Sequence, residues 1–105
     1  MLLRGEMKMS DAIILYKSSF CPHSWYVERF LKANNIPIKL INIDGDPEAR
    51  QEVMALNRGF ASVPTLIFPD GLQLTEPSIG EIRAKLNIEV PGFFARLSAY
   101  FSSKL

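Results

Sequence analysis

The chain has a single cysteine among its 105 residues, so no disulfide bond can form within it. This absence excludes the small secreted scaffolds that several disulfide bonds hold together. The one cysteine, Cys21, is therefore either a small buried apolar side chain or a working thiol. Together with the lack of an apolar signal segment described below, the exclusion of such a scaffold leads us to expect a cytoplasmic protein.

Long apolar runs and an excess of charge of one sign are also absent from the sequence. Its first ten residues contain only the short apolar pair Leu2 and Leu3, which is too brief for a signal segment or a membrane span. The 12 Lys and Arg residues nearly balance the 11 Asp and Glu residues, and they are scattered along the chain. This pattern predicts no nucleic-acid or membrane partner, and it favours a small molecule or another protein.

The apolar pattern predicts four short strands. The continuous apolar run Ala12–Tyr16 is typical of a buried central strand. The isoleucine-rich segment Ile38–Ile43 predicts the second strand of the chain. Thr65–Phe68 and Leu72–Leu74 flank the turn sequence Pro69-Asp70-Gly71, so they predict an antiparallel hairpin.

Three helices are predicted between and after these strands. Each has apolar residues three or four positions apart, which form an inward stripe. The stripes are Val27, Phe30 and Leu31; Ala49, Val53 and Leu56; and Ile79, Ile82 and Leu86. Asp46 and Pro47 have the chemistry of a helix start, and so does the segment Thr75–Ser78. The order βαβαββα predicts an α/β fold, with a mixed four-stranded sheet flanked by helices.

Two terminal segments lie outside this pattern. We expect residues 1–10 to form a flexible arm, residues 11–88 one domain, and residues 89–105 an amphipathic helix that packs back on the domain. The apolar stripe of that helix is Phe93, Phe94, Leu97, Tyr100 and Phe101. A dimer contact or a membrane-surface contact is the alternative, although Arg96 and Lys104 offer little positive charge for lipid. We expect a monomer, with a dimer through this helix as the second possibility.

Cys21 lies where the first predicted strand passes into the first predicted helix. The unpaired amides and the dipole of a helix start stabilise a thiolate, and Pro22 at the first helical turn costs no hydrogen bond. The position therefore predicts a nucleophilic thiol at Cys21.

Two segments carry a family resemblance. The residues Tyr16 to Ser24, with the sequence YKSSFCPHS, resemble the active-site segment of glutaredoxins in their monothiol CPxS form. Ser62-Val63-Pro64-Thr65 resembles the SVPT segment of thioredoxin-fold proteins, whose proline follows a cis peptide bond beside the active cysteine. The resemblance covers about Ala12 to Ile88. It implies the thioredoxin-like glutaredoxin fold, and it implies that Val63, Pro64 and Thr65 contact the substrate, with the Val63 backbone pairing as an added strand does.

The chain also departs from the glutaredoxin pattern near the cysteine. Many glutaredoxins have a lysine three residues before it, where this chain has Ser18, and Lys17 stands one place earlier. Lys17 is therefore either a contact for a substrate carboxylate or a solvated lysine. His23 is either an imidazolium that favours the neighbouring thiolate or an exposed side chain.

The segment Thr75-Glu76-Pro77-Ser78 resembles a stretch of mycoredoxins and of glutathione transferase N-terminal domains. The resemblance implies that Glu76 and Ser78 bind a low-molecular-weight thiol, with the Ser78 amide and hydroxyl holding a carboxylate. Simple capping of the third helix is the alternative interpretation.

The resemblance as a whole implies a thiol-disulfide oxidoreductase that reduces mixed disulfides between proteins and a low-molecular-weight thiol. Its catalytic residues would be Cys21, Pro22 and Ser24, and Ser24 in place of a resolving cysteine implies a monothiol mechanism. We expect glutathione or an analogue such as mycothiol as co-substrate, oxidised proteins as clients, no tightly bound cofactor and no metal. The alternatives are an iron–sulfur cluster bridged by two Cys21 thiolates in a dimer, and a glutathione-binding module without turnover.

Overall fold

The structure, a computed structural model, describes residues 11–88, so the predicted N-terminal arm and C-terminal helix lie outside the described residues. The predicted order βαβαββα is confirmed. The elements are β1 (Ile13–Lys17), α1 (Pro22–Ala33), β2 (Ile38–Asn42), α2 (Pro47–Leu56), β3 (Thr65–Ile67), β4 (Gln73–Thr75) and α3 (Ile79–Leu86). None of the helices in this part of the chain is long and apolar enough to cross a membrane.

The four strands form one mixed sheet in the order β2-β1-β3-β4. Strand β1 pairs in parallel with β2, which requires the crossover through α1, and it pairs antiparallel with β3. Tyr16 stands opposite Ile41 on one side and Thr65 on the other. The first strand is therefore central, as its continuous apolar run predicts, and the α/β class with a mixed sheet is confirmed.

The core is divided between the two faces of the sheet, because successive side chains of a strand point to opposite faces. Ile13 and Leu15 pack on the face covered by α1 and α3, whereas Tyr16 packs on the face covered by α2. The buried partners on the first face are Val27, Leu31, Leu66, Phe68 and Ile82, and those on the second are Ile43, Ala49 and Val53. This arrangement leaves the carboxyl end of β1, and with it the start of α1, at the rim of the sheet.

Several predicted boundaries and one predicted core residue are wrong in detail. Strand β3 ends at Ile67 because the Phe68 amide and carbonyl belong to the hairpin turn, where they bond with Leu72 and Gly71 at 2.9 and 2.8 Å. Leu56 is 39% exposed instead of buried, because α2 ends at this residue and the chain then turns through positive φ angles at Arg58 and Gly59.

Candidate active site at Cys21

The cysteine is the N-cap residue of α1. Its backbone is extended, with φ −108° and ψ 109°, and its Sγ accepts a hydrogen bond from the Ser24 amide at 3.4 Å. A helix start leaves its first amides unpaired, so the sulfur takes the place of a capping oxygen. The side chain is half-buried, which rules out the interpretation of Cys21 as a buried apolar residue.

The predicted proline loop lies against this sulfur. The Val63–Pro64 peptide bond is cis, as predicted, and Pro64 is buried. The Cys21 thiol donates to the Val63 carbonyl oxygen, with an Sγ to O distance of 3.7 Å. The cysteine motif and the proline motif therefore meet at the sulfur of Cys21, although Cys21 and Val63 are 42 positions apart in the sequence.

The Thr65 side chain is buried and bonded within the protein. It is completely buried, and its hydroxyl donates to the Ser62 carbonyl at 2.8 Å and accepts from Asn57 Nδ2 at 3.1 Å. The substrate contact of Thr65 stays a prediction, and the structure shows a supporting role for this side chain. It holds the loop in place from behind, because both of its hydrogen-bonding directions are used inside the protein.

Asn57 is a supporting residue that the sequence interpretation missed. Its Oδ1 accepts from Gln73 Nε2 at 3.1 Å and from the Thr75 hydroxyl at 2.6 Å, and its Nδ2 also donates to the Val53 carbonyl at 2.9 Å. The amide group thus joins the end of α2 to β4, in addition to its bond to Thr65. In sequence it has only the character of a helix terminator.

A carboxylate holds the loop that precedes the cysteine. The Ser18 hydroxyl donates to Asp44 Oδ1 at 2.7 Å, and the Ser19 amide donates to Asp44 Oδ2 at 2.8 Å. The bond from the Ser18 hydroxyl, followed by that from the Ser19 amide, lowers the pKa of Asp44 from its ordinary value. The Cys21 amide in turn donates to the Ser18 carbonyl at 3.2 Å. In the sequence, Asp44 followed by Gly45 is only a turn signal.

Lys17 is largely shielded from solvent and paired with a carboxylate of the chain. Its Nζ lies 3.1 Å from Glu28 Oε1, and both side chains are only 14% exposed. Lys32 Nζ approaches the other oxygen, Oε2, at 2.7 Å. The hydrogen bond from Lys32 is the main cause that lowers the pKa of Glu28, and the charge of Lys17 adds to it, while burial opposes both. Lys17 faces α1 because it shares a strand face with Leu15.

Ser78 caps α3, which was the second of its two predicted roles. Its hydroxyl accepts from the Glu81 amide and its own amide donates to Glu81 Oε1, both at 3.1 Å, so the two residues form a capping box. The carboxylate at this helix start therefore belongs to the chain itself. The spacing of Ser78 and Glu81 fits the capping-box pattern, so the sequence carried a local signal for it.

The segment before Ser78 is tied to both sides of the site. Glu76 is exposed and has a positive φ of 48°, and its amide donates to the Pro64 carbonyl at 2.7 Å. His23 Nε2 lies 2.7 Å from the Pro77 carbonyl oxygen. Because a carbonyl only accepts, Nε2 carries the proton in this contact. His23 is half-buried, so it is not the exposed side chain of the second interpretation.

The other two predicted catalytic residues differ in exposure. Pro22 is exposed at the first position of α1. Ser24 is completely buried, and its hydroxyl accepts from the Ser18 amide at 3.4 Å. Ser24 therefore reaches the sulfur through its backbone amide, and its hydroxyl supports the preceding loop.

Exposed aromatic side chains border the site. Phe20 is 87% exposed next to the cysteine, and Phe60 is 70% exposed at the start of the loop that leads to Val63. Trp25 and Tyr26 are more than half exposed on the first turns of α1.

Among residues 11–88 no group of three or more His, Cys, Asp or Glu side chains is placed to hold a metal ion.

Comparison with known proteins decides the family. The sequence profile of the Glutaredoxin family matches residues 13–72, which is more than half of the chain. The chain belongs to the glutaredoxin family. This glutaredoxin-family chain is 36% identical over 78 residues to a Mycobacterium tuberculosis protein named as a glutaredoxin, covering 74% of the chain and 93% of that protein. It is also 33% identical over 75 residues to Mycoredoxin 1 of Corynebacterium glutamicum, with coverages of 70% and 91%.

Solved structures agree with the fold of this glutaredoxin-family chain. The thioredoxin-like protein BC3987 matches with a TM-score of 0.60 and 26% identity, covering 69% of the chain and 96% of that protein. Glutaredoxin C1 from Populus tremula x tremuloides matches with a TM-score of 0.56 over 75% of the chain and 80% of that protein, at 19% identity. The fold is therefore thioredoxin-like, and the family supports thiol-disulfide oxidoreductase activity.

Proposed function

We propose that this protein reduces mixed disulfides between oxidised proteins and a low-molecular-weight thiol by a monothiol mechanism at Cys21. The observation that carries the proposal is the position of Sγ, which caps α1 and lies 3.7 Å from the Val63 carbonyl, with no second cysteine in the chain. An isolated thiol at a helix start is suited to attack a disulfide, and it has no neighbouring thiol to displace the product.

The first step transfers the small thiol to the protein. The Cys21 thiolate attacks the small-thiol sulfur of the mixed disulfide, a new disulfide forms at Cys21, and the client thiolate leaves and takes up a proton. The Ser24 amide, 3.4 Å from Sγ, stabilises the negative charge before the attack. The client is reduced, and Cys21 is oxidised to the mixed disulfide.

The second step restores the thiolate. A second small thiol, as its thiolate, attacks the small-thiol sulfur bound to Cys21, so that Cys21 leaves and a small-molecule disulfide forms. The net reaction converts the mixed disulfide and one free small thiol into the reduced client thiol and one small-molecule disulfide. Ser24 supports this route because its hydroxyl cannot displace the bound thiol as a resolving cysteine would.

The Val63 backbone is suited to orient the bound disulfide. Its carbonyl lies beside the sulfur, and its amide has no hydrogen-bond partner within residues 11–88. An extended peptide-like substrate pairs with such a backbone as an added strand does. In this proposal Val63 holds the small-thiol sulfur next to Cys21, with the client sulfur in line on the far side of the attacked bond.

The charges around the site favour a small thiol without carboxylates. Three of the polar groups best placed to receive a carboxylate are already bound to carboxylates of the chain. The pairs are Lys17 with Glu28, Ser18 with Asp44, and Ser78 with Glu81. Glutathione carries carboxylates, whereas the sugar-linked mycothiol carries none. We therefore propose a thiol of the mycothiol type ahead of glutathione, in agreement with the likeness to a protein named Mycoredoxin 1.

Client proteins would meet the exposed aromatic side chains beside the sulfur. Phe20 and Phe60 are the most exposed of these, and large exposed apolar side chains near a reactive group are typical of a contact surface. We propose that the reaction takes place in the cytoplasm, where small thiols are kept reduced. We also propose that one chain suffices, because the groups named above come from a single copy.

Adduct formation tests the proposal directly. The reduced protein is incubated with the disulfides of glutathione, mycothiol and cysteine, and the protein mass is measured with and without Cys21→Ser. We expect one adduct per chain in the wild type and none in the variant, together with turnover of a protein mixed disulfide in a coupled assay. Absence of an adduct with every small thiol would overturn the proposed function.

A further inference from the structure

His23 bridges two elements that border the reactive sulfur. It lies on the first turn of α1, two residues after Cys21, and its Nε2 donates to the Pro77 carbonyl oxygen at 2.7 Å. The two residues are 54 positions apart in sequence. Pro77 itself is completely buried, so the acceptor is held by its surroundings and the bond connects α1 to a fixed point.

The segment 76–78 has a second attachment on the opposite side. The Glu76 amide donates to the Pro64 carbonyl at 2.7 Å, and the neighbouring Val63 carbonyl accepts from Cys21 Sγ at 3.7 Å. The hydrogen bonds therefore form a closed circuit from the cysteine through the proline loop and the segment 76–78, and back through His23 to α1. Removing the bond between His23 and Pro77 opens the circuit between α1 and the segment 76–78.

We propose that His23 is a positioning residue, which fixes the segment 76–78 against α1 and so fixes the space beside Cys21 that receives the low-molecular-weight thiol. This inference rests on the proposed function, and it assigns His23 no contact with the substrate. The donor is needed in this role, whereas the charge of the imidazole is not, because Nε2 carries a proton in both the neutral tautomer and the imidazolium.

Kinetic constants separate this role from a direct role in the chemistry. A misplaced segment weakens binding of the mixed disulfide, whereas the attack by the sulfur and its contact with the Ser24 amide are unchanged. His23→Phe keeps a planar ring and removes the donor, and His23→Gln keeps a donor at a similar reach. We expect His23→Phe to raise KM for the mixed disulfide about three- to tenfold, the loss typical of one hydrogen bond, and to leave kcat within about twofold.

Two controls accompany these variants. Gln51→Phe introduces a phenyl group at an exposed position of α2, outside the site, and we expect wild-type KM and kcat. The rate at which iodoacetamide alkylates Cys21 reports the reactivity of the sulfur alone, and we expect His23→Phe to leave this rate near the wild-type value. His23→Gln should restore most of the wild-type KM.

The wild-type protein gives a test that needs no variant. His23 is the only histidine of the chain, so its ring nitrogens give one unambiguous pair of resonances in a nitrogen-labelled sample. We expect the neutral ring to be held in the tautomer that is protonated at Nε2. An equal mixture of tautomers, or protonation at Nδ1, would overturn the bond to Pro77.

The outcomes distinguish this inference from the proposed function. If the wild type turns over and His23→Phe has an unchanged KM, the positioning role alone is overturned. A fall in kcat at constant KM in His23→Phe also overturns only this role. An equal rise of KM in His23→Phe and His23→Gln also overturns it, because the donor would then be irrelevant. A wild-type protein without adduct or turnover overturns the proposed function, and the tautomer still decides whether the His23 bond exists.

Discussion

Lys17 and Glu28 form an ion pair that is largely shielded from solvent, with Nζ and Oε1 3.1 Å apart. The pair joins Lys17, the last residue of β1, to Glu28 near the middle of α1. The loop that carries Cys21 lies between these two residues in the sequence. Of the two predictions for Lys17, the solvated lysine is wrong, because Nζ is engaged within the protein. The pair leads to one prediction on stability and one on the choice of small thiol.

The ion pair predicts a loss of stability in acid. The pKa of Glu28 is lowered in the folded protein, so its contribution is present above the pKa of the unfolded carboxyl and is lost as the pH falls through the folded pKa. We expect a double-mutant cycle of Lys17→Met and Glu28→Gln to give a coupling free energy of about 1 kcal/mol near neutral pH.

Urea unfolding of the wild type, the two single variants and the double variant measures this coupling. It should fall toward zero when the cycle is repeated in acid, below the lowered pKa of Glu28 in the folded protein. A coupling that is the same at both pH values would show that packing, and not charge, joins the two side chains.

Glu28 also predicts the choice of small thiol. Glu28→Gln leaves Lys17 without its paired charge beside the site, so a carboxylate of the substrate gains a partner. We expect KM for a glutathione mixed disulfide to fall about threefold, an amount typical of one exposed ion pair, while KM for a thiol without carboxylates is unchanged. Lys17→Met together with Glu28→Gln should remove the gain. A uniform change for both thiols would contradict the argument from charge.

Ser24 predicts that a second thiol can be introduced. Its amide is 3.4 Å from Cys21 Sγ, and the side chain is completely buried one helical turn from the cysteine. We expect Ser24→Cys to form an internal disulfide on oxidation, which lowers the protein mass by two hydrogens and blocks alkylation. The variant should also reduce protein disulfides directly, because the new cysteine displaces the client. Ser24→Ala is the matched control and should show neither property.

Thr65 predicts the importance of the support behind the proline loop. Thr65→Val keeps the shape of the side chain but leaves the Ser62 carbonyl and one Asn57 hydrogen without their partner. We expect a loss of about 1 to 3 kcal/mol in the free energy of unfolding, measured in urea. Thr65→Ser keeps the hydroxyl and should lose less than half as much. A larger loss in Thr65→Ser than in Thr65→Val would mean that the methyl group contributes more than the hydroxyl to the stability of the loop.

The fold was largely predictable because its signals are local. The apolar run before Cys21 and the apolar spacing of Val27 and Leu31 each follow from the period of one strand or one helix. The errors of the prediction fall at the ends of elements. At Leu56 the apolar pattern continues but the helix ends. The meeting of Cys21 with the loop of Val63 and Pro64 was predicted from two motifs of the family and not from periodicity.

The sequence alone determined the element order, the single thiol at a helix start and the cis proline expected beside it, since these depend on short segments. Only the tertiary structure decided which groups the polar side chains meet. Glu28 faces Lys17, Asp44 holds Ser18 from 26 residues away, and His23 reaches Pro77 from 54 residues away. The physical reason is that the partner of a side-chain tip depends on how two separate elements pack, and no local period encodes that distance.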